Sequence, residues 1–592
     1  MRPSLAALLL AATVPLLGAA PLPVAQQAGE DARFAQLGRD FLRDLAAAHP
    51  GYATHLGDHS HDGEVDDLSA VGRARDAAML RRYLARLAGI PRAGLSRDNQ
   101  VDAALLGHSL RYRLWTLEVL EPWRWDPQEA NGDISGSLYG LAARDFAPWP
   151  VRLRAATARM ERIPAMYGQM RASLDPARVP QIFAKTVSDQ NAGTLQIAQA
   201  MLAPHRAELP PADAARFDTA LAGLKAAVAD QQHWLDTVLL PQAKGDFRLG
   251  PQLYDRKLAF ALDTNLTRAE IKARAVNAVA ETRAQMYAIA RQVLAGKAGA
   301  SPTPVAPSAA EQQAAIEAAL DLTYATAPPR DQLLATTTAA LRRATAFVRA
   351  HHLVGVPDNP VQVIEMPKFR QGVAVAYCDS PGPLEQQLGT FVAVSPIPDG
   401  WSAEQARSFL REYNGYMIQD LAVHEAMPGH YLQLAHANAG QSTLRATLAS
   451  GSFIEGWAVY AEGMMADADY LGDPLFRLTV LKMRLRSITN TLLDIGIHAE
   501  GMTEAQAMAL MTRGAFQQER EAAGKWTRAR LSSTQLLNYF TGYLEHQDLR
   551  RDAARREGGD FDLQRYNDAV LAHGSPPVRY VRALMFGEPI AP

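Results

Sequence analysis

Apolar residues recur at three- and four-residue steps through most of the first half of the chain. The stretches ARFAQLGRDFLRDLAAA (residues 32–48) and RAEIKARAVNAVAETRAQMYAIARQVL (residues 268–294) show this spacing clearly. It is the period of an amphipathic helix, and the same stretches are rich in the strong helix formers Ala, Leu, Arg and Glu. The pattern therefore predicts that most of residues 30 to 295 are helical.

The pattern changes after this region. Residues 296–312 contain prolines at 302, 304 and 307 among small residues, which predicts a surface loop or a subdomain boundary. After two further predicted helices, three β-branched runs follow, bounded by Gly and Pro, at residues 361–366, 373–378 and 389–394. Such runs are typical of strands and predict a small sheet. The last of them, GTFVAV, is a candidate to bind an extended peptide by edge pairing, with an ordinary buried strand as the alternative.

Composition restricts the possible partners and the organisation. A chain of 592 residues exceeds one ordinary core, and 48% hydrophobic residues are enough for a large interior. The predicted organisation is a signal peptide (1–25), an N-terminal helical region (26–300) and a C-terminal region (301–592), with one continuous unit as the alternative to the last two. A formal net charge of −2 without a long basic run argues against nucleic-acid binding.

The N-terminus has the features of an export signal. Arg2 precedes the apolar run LAALLLAATVPLLGAA, and small residues suited to cleavage occur near Ala20 and Ala25. A retained membrane anchor is the alternative, but the run is shorter than the ~20 residues of a spanning helix. The single cysteine, Cys378, excludes an intrachain disulfide and a lipid-bearing cysteine just after the signal. We therefore expect a periplasmic or secreted protein without a stable membrane span after cleavage.

The motif HEAMPGH (residues 424–430) is close to the zinc-peptidase signature H-E-x-x-H, whose two histidines lie on one helix face. Here the histidines are six residues apart, so an unbroken helix would separate His424 and His430 by about 120°. Pro428 and Gly429 make an unbroken helix improbable, and a bulge or broken turn could return His430 towards His424. The alternative is a helix that ends at Pro-Gly, with a surface histidine beyond it.

A second motif, SFIEGWAVYAEG (residues 452–463), begins shortly after His430. A zinc hydrolase with two histidines usually takes a carboxylate as its third protein ligand. Glu455 and Glu462 are seven residues apart, about 10 Å along a helix, so only one of them can be that ligand. Most neighbouring residues are apolar, and a buried carboxylate needs a cationic partner. The alternative is an amphipathic helix with two solvated glutamates.

Together the two motifs resemble those of a bacterial family called domain of unknown function 885, whose members carry H-E-A-x-P-G-H and E-G-W-A-x-Y-x-E and are regarded as candidate zinc metallopeptidases. The resemblance covers most of the mature chain. Two positions depart from the family pattern: Tyr431 replaces a frequent second histidine, and SSTQ (residues 532–535) replaces P-G-Q. Weaker family landmarks occur at GDHSHDG near 57, GSLYGL near 136, AYCDSPGPLEQQLGTFVAV, DIGIHAEGMT at 494–503 and QLLNYFTG at 535–542.

The resemblance implies a metal site and its ligands. E-G-W-A-x-Y is also distantly similar to the E-G-F-A-x-Y of zinc aminopeptidases, in which the first glutamate binds the metal. This similarity selects Glu455 as the third ligand beside His424 and His430, and it leaves Glu462 as a carboxylate that could orient a ligating imidazole through its other nitrogen.

The resemblance also implies a mechanism. Zinc would activate a water molecule for attack on a carbonyl, and Glu425 would serve as the general base. His498 and Tyr539 are the candidates for donating a hydrogen bond to the developing oxyanion. For each of them a purely structural role is the alternative.

Two other polar groups have weaker signals. His59 and His61, with Asp58 and Asp62 in GDHSHDG, could bind a metal, although a polar loop or a contact between helices is favoured. Cys378 has no C-x-x-C partner and is interpreted as an inert buried thiol.

Two functional hypotheses follow from these observations. The first is an exported zinc metallopeptidase that acts on peptides, a mainly α protein whose multi-helix body surrounds a deep cleft, with a small β-sheet next to the active-site helix. The second is a helical binding protein, or an inactive enzyme, in which the metal site is structural.

Overall fold

The structure is a computed structural model that describes residues 24–264, 266–297, 303–367, 375–385, 387–398, 400–440 and 442–591. Helices dominate this part of the chain, and the predicted mainly helical fold with a small sheet is confirmed. The predicted signal peptide, residues 1–25, lies outside the described residues except for its last two positions. Within the described ranges no helix is both long enough and apolar enough to cross a membrane.

The predicted helical region before residue 295 consists of successive helices. They are α1 (Val24–Ala48), α2 (Pro50–Leu56), α3 (Ala70–Ala88), α4 (Arg97–Trp115), α5 (Pro127–Ala142), α6 (Trp149–Met160), α7 (Ile163–Ser173), α8 (Gln181–Gln190), α9 (Ala192–Ile197), α10 (Pro211–Trp234), α11 (Leu240–Gln242), α12 (Gly250–Leu262) and α13 (Arg268–Leu294). Side-chain caps start several of them, including Ser69 before α3 and a capping box between Thr267 and Glu270 at α13.

The helices after residue 300 are α14 (Ala309–Tyr324), α15 (Leu333–Ala350), α16 (Ala403–Glu412), α17 (Gly415–Glu425), α18 (His430–Ala439), α19 (Thr443–Thr447), α20 (Gly451–Asp467), α21 (Pro474–Ala499), α22 (Glu504–Ala509), α23 (Glu519–Leu531), α24 (Asn538–Glu557), α25 (Leu563–Ala572) and α26 (Val578–Phe586). Short 3-10 or π-helical turns occur at His59–His61, Arg92–Gly94, Thr116–Leu120, Pro122–Arg124, Pro176–Arg178, Ala198–Leu202, Ala203–Glu208, Leu235–Leu239, Arg330–Gln332, Tyr470–Gly472, Leu510–Gly514 and Gly558–Asp560.

The predicted proline-rich break separates α13 from α14. Helix α13 ends at Leu294, and Ser308 caps α14 with a capping box to Glu311. Apolar side chains nevertheless pack across this break, because Met286 of α13 shares one buried cluster with Ile316 of α14 and Leu481 of α21. The division of the chain at residue 300 stays a prediction.

The sheet has three strands, β1 (Val361–Glu365), β2 (Ala376–Asp379) and β3 (Thr390–Val394). Their order is β1-β3-β2, with β3 parallel to β1 and antiparallel to β2. The proposal that GTFVAV binds a peptide by edge pairing was wrong, because β3 is the central strand and both of its edges are occupied. Its buried Val392 belongs to the same apolar cluster as Val423 near the end of α17.

Helix α20 is buried on almost all sides, which explains its apolar composition. It packs against α24 through two glycines. A Cβ atom added to Gly456 would lie 2.3 Å from the carbonyl carbon of Gly542, and one added to Gly542 would lie 1.8 Å from the carbonyl oxygen of Ser452. The backbones of the two helices therefore touch without an intervening side chain.

Candidate metal centre

The HEAMPGH segment forms two helices joined by a tight break. Helix α17 ends at Glu425, a cis peptide bond joins Met427 to Pro428, and α18 begins at His430. The amide of Gly429 donates to the carbonyl oxygen of Val423 at 2.9 Å. A Cβ atom at position 429 would lie 2.0 Å from the carbonyl oxygen of His424, so this close approach requires glycine. The predicted break at Pro-Gly is confirmed.

This break brings the two histidines together. The ring centroids of His424 and His430 are 4.7 Å apart, with the ring planes at 85°. The side chain of His430 is only 12% exposed, so the alternative of a surface histidine is wrong. From α20, the indole nitrogen of Trp457 donates to the carbonyl oxygen of Pro428 at 2.9 Å. The same helix thus holds the break in position and supplies the carboxylates of the second motif.

Glu455 of α20 completes a three-residue cluster. Its Oε2 atom lies 3.4 Å from Nε2 of His430 and 3.9 Å from Nε2 of His424. The candidate ligand atoms of the three residues all lie within 4.8 Å of one another. Two donor atoms at about 2.0–2.1 Å from one tetrahedral zinc ion would be roughly 3.3 Å apart. The donor set and its spacing therefore fit a zinc ion.

Glu462 meets the opposite side of His424. Its Oε1 atom lies 2.6 Å from Nδ1 of His424, and its side chain is only 2% exposed. Glu455 therefore faces the Nε2 atoms of the cluster, whereas Glu462 faces the other imidazole nitrogen. The two glutamates have different contacts, as the sequence motif required.

Burial determines the protonation of this region. Burial, together with the nearby His430, lowers the pKa of His424 to about 4, which leaves a neutral imidazole able to bind a metal. Burial also raises the pKa of Glu462, whereas the positive charges of Arg484 and Arg486 lower it. Asp420 lies one turn before His424, is buried with both carboxylate oxygens unpartnered among the described residues, and has a pKa raised by burial and by the charge of Glu462.

A cavity of about 570 Å³ opens beside the cluster. His424, Glu425 and Tyr539 all contribute to its wall. The predicted base thus lies next to a candidate ligand and faces a space that could receive a reactant. Other parts of the wall come from α16, α21 and α23.

Tyr539 lies in the first turn of α24, and its ring is stacked 6.5 Å from the ring of His424. Arg528 donates to its hydroxyl oxygen at 3.3 Å. Burial and the negative charge of Glu455 raise the pKa of Tyr539 to about 12, so the hydroxyl keeps its proton. A protonated hydroxyl can donate a hydrogen bond into the cavity.

Comparison with known proteins identifies the family. Residues 50–585 match the family described as "Bacterial protein of unknown function (DUF885)". This chain belongs to the DUF885 family. No match was found among curated proteins.

Two solved structures share the DUF885 fold seen here. One is a "putative lipoprotein of unknown function" from Shewanella oneidensis, with 33% identity and a TM-score of 0.78, over 93% of this chain and 99% of that one. The other is a "putative lipoprotein" from Colwellia psychrerythraea, with 16% identity and a TM-score of 0.75, over 93% and 98% of the two chains.

The first departure from the DUF885 pattern, Tyr431, points away from the cluster. Its side chain is buried in the apolar core with Val392 and Trp457, and its hydroxyl donates to the carbonyl oxygen of Asn359. Tyrosine at this position therefore has a structural role in this chain.

The second departure is the SSTQ turn before Tyr539. Thr534 adopts φ = 65°, a left-handed conformation that favours glycine. Asp494 of α21 holds the turn, because its carboxylate accepts from the amides of Thr534 at 3.0 Å and Leu536 at 3.4 Å, and from the hydroxyl of Tyr254 at 2.8 Å. These contacts support the start of the helix that carries Tyr539.

His498 is not part of the cluster formed by His424, His430 and Glu455. Its Nε2 atom lies 2.9 Å from the carbonyl oxygen of Ala529, and its ring stacks on Tyr254 with centroids 6.1 Å apart. The side chain is buried and does not line the cavity. This placement favours the structural alternative for His498, because its Nε2 atom already contacts a backbone carbonyl and the ring lies outside the cavity wall. Of the two candidates, Tyr539 reaches the cavity.

The GDHSHDG landmark forms a polar contact, as favoured from the sequence. His59 lies 2.9 Å from Asp62 through Nδ1 and 3.0 Å from Glu385 through Nε2, and it stacks on Phe146 at 3.6 Å. His61 pairs with Glu64 at 3.2 Å. Among the described residues, the three-residue group around His424 is the only His, Cys, Asp and Glu cluster with metal-binding spacing.

Four charged residues near the cluster of His424, His430 and Glu455 were not predicted from the sequence. Asp420 could have been found, since a residue four positions before His424 lies on the same helix face. Arg486, Lys525 and Arg528 line the same cavity. Their helices contain many other cations, so nothing in the local sequence separates these three from solvated side chains.

Proposed function

We propose that this protein is an exported zinc-dependent hydrolase, and specifically a metallopeptidase that cleaves peptide bonds by attack of water. The observation that carries the proposal is the spacing of His424, His430 and Glu455, with Glu425 beside them in the cavity wall. A structural zinc site usually fills all four positions with protein ligands. Among the described residues this cluster offers three, which leaves a position for a reactant.

Each residue of the site has its own proposed role in the reaction. Zinc, when bound, would polarise the scissile carbonyl and lower the pKa of a coordinated water. Glu425 takes the proton of the attacking water and delivers it to the leaving amine. Tyr539 donates its O–H to the developing oxyanion. Glu462 accepts from Nδ1 of His424 and so holds the ring with Nε2 directed at the metal position.

The cavity beside the cluster is proposed to be the cleft that binds the substrate. Its volume of about 570 Å³ suits a short peptide segment around the scissile bond. Extracytoplasmic localisation rests on the signal-like N-terminus and on two relatives described as putative lipoproteins. We propose a periplasmic or secreted protein.

A peptide-library digest tests the proposal. Purified protein is incubated with the library, fragments are identified by mass spectrometry, and zinc is measured in the same preparation. We expect about one zinc per chain and cleavage that a chelator abolishes and added zinc restores. A folded protein that holds zinc but cleaves no peptide would support the binding-protein hypothesis instead. A folded protein with no affinity for zinc would contradict both.

A further inference from the structure

Helix α23 contributes two cations to the wall of the cavity. Lys525 and Arg528 are three residues apart and therefore lie on the same face of the helix. His424 and Glu425 of α17 line the same cavity.

Lys525 is buried, with only 6% of its surface exposed. Among the described residues its ammonium group has neither a hydrogen-bond partner nor an ion-pair partner. Burying an unpaired cation is unfavourable, because it loses hydration without gaining a compensating contact. The neighbouring Arg486, in contrast, forms an ion pair with Glu521 of the same helix α23. An unpaired lysine in a cavity wall is available to a partner that enters the cavity.

Arg528 also lacks a carboxylate partner within the described part of the chain. It donates to neutral groups, the side-chain oxygen of Gln535 at 3.4 Å and the hydroxyl of Tyr539 at 3.3 Å. A guanidinium has five N–H donors, so most of them stay available. Burial and the positive charges of Arg486 and Arg528 hold the pKa of Lys525 well below its ordinary value. An anion bound beside Lys525 would favour its protonated form and so offset this effect.

We propose that Lys525 and Arg528 bind a carboxylate group of the peptide substrate. The proposal rests on the proposed function, and it deepens it by naming the feature of the substrate that the site recognises. A carboxylate accepts charge-assisted hydrogen bonds from both cations.

The position of Arg528 limits where the carboxylate lies. Arg528 contacts the hydroxyl of Tyr539, whose ring stacks on that of His424. The carboxylate therefore lies close to the scissile bond, on an adjacent residue of the substrate. It is either the α-carboxylate of a C-terminal residue or the side chain of Asp or Glu at that position, and both have the same chemistry.

Calorimetric binding of three peptides tests the proposal. The full-length Glu425→Gln protein is used, so that cleavage does not consume the probes. The probes are acetyl-trialanine with a free C-terminus, its C-terminal amide, and acetyl-Ala-Ala-Asp-amide. We expect at least one carboxylate peptide to bind at least tenfold more tightly than the trialanine amide, as charge-assisted hydrogen bonds predict. Preference for the free acid assigns the α-carboxylate, and preference for the Asp peptide assigns the side chain.

Three further variants in the same background identify the residue. Lys525→Met should reduce the preference to less than about twofold, whereas Lys525→Arg should retain it. Arg530→Met is the matched control, since Arg530 lies on the same helix but outside the cavity wall, and it should leave the preference unchanged. Equal binding of all three peptides, or an unchanged preference in Lys525→Met, would overturn the proposal. A failure of the proposed function would give a different result. The parent protein, which has Glu425, would then cleave none of these peptides, although their affinities for the Glu425→Gln protein would still differ.

Discussion

Glu462 lies 2.6 Å from Nδ1 of His424, on the side of the imidazole opposite the candidate metal ligands His430 and Glu455. A carboxylate in this position fixes which nitrogen carries the proton and therefore which nitrogen is free to bind a metal. The relationship assigns different roles to two glutamates that are only seven residues apart on α20.

Glu455→Ala and Glu462→Ala should therefore differ in zinc affinity. Removal of Glu455 deletes a ligand and should abolish tight zinc binding. Removal of Glu462 leaves the three ligands in place and should weaken affinity or activity by about 10- to 100-fold, the range typical of groups that orient a ligating histidine. Competition titration with a zinc chelator measures both variants against the parent. The opposite order of effects would exchange the two roles.

Glu425→Gln should separate catalysis from metal binding. Gln keeps the shape of the side chain but cannot accept the proton of the attacking water. A positioned general base typically contributes 10²- to 10⁴-fold, so turnover should fall by that factor while zinc content and Tm stay close to those of the parent. Steady-state kinetics and metal analysis on the same preparation check this. Full activity in the variant would eliminate Glu425 as the base, and loss of zinc would make it a ligand.

The contact of His59 with Asp62 and Glu385 should make stability depend on pH. Burial opposes protonation of His59, but hydrogen bonds to the two carboxylates outweigh it and raise the pKa to about 9 from 6.5. A raised pKa in the folded state means that the stabilisation is fully present below pH 6.5 and is lost as the pH rises through about 9. The side chain is 26% exposed, so solvent screening reduces the contribution to about 1–2 kcal/mol.

His59→Gln provides the measurement. The parent should have a higher Tm than the variant at pH 6, and the difference should shrink by pH 9.5, because only the parent loses a charged contact over this range. His61→Gln is the control, since His61 pairs with the exposed Glu64. A difference in Tm that does not change with pH would show that His59 contributes only neutral contacts.

Thr534→Gly should stabilise the protein. Thr534 is β-branched and adopts φ = 65°, a conformation that costs such a residue about 1–2 kcal/mol relative to glycine. The variant keeps the amide that donates to Asp494 and loses the hydroxyl bond to Ser533, so we expect a net gain of about 0.5–1 kcal/mol. Thermal unfolding checks the direction. A lower Tm would mean that the hydroxyl bond outweighs the backbone strain.

The sequence predicted the break in HEAMPGH because its physical causes are local. Proline removes a helix donor, and glycine permits a backbone approach that any Cβ atom would block. The strand positions were likewise predicted to within a few residues from β-branched runs, for example β3 at residues 390–394 against the predicted 389–394. Strand order was not predictable, because β3 pairs with both neighbours through hydrogen bonds that leave no pattern in the side chains.

The sequence also did not predict which side chains lie next to each other in the folded protein. His498 and Tyr539 are both plausible donors in isolation, and only tertiary packing places the first against Ala529 and the second beside His424. Lys525 resembles any helical surface lysine until the opposing wall of the cavity is known. Residues whose roles depend on distant segments therefore require the structure.

The close packing of Gly456 against Gly542 determines how near α20 and α24 approach each other beside the candidate site. Glu455 immediately precedes one glycine, and Tyr539 lies one turn before the other, so the separation of α20 and α24 is also the separation of a carboxylate and a phenol. A methyl group added at either glycine would force α20 and α24 further apart. The width of the candidate site is thus determined at two glycines, which have no side chain that could mark them as functional in the sequence.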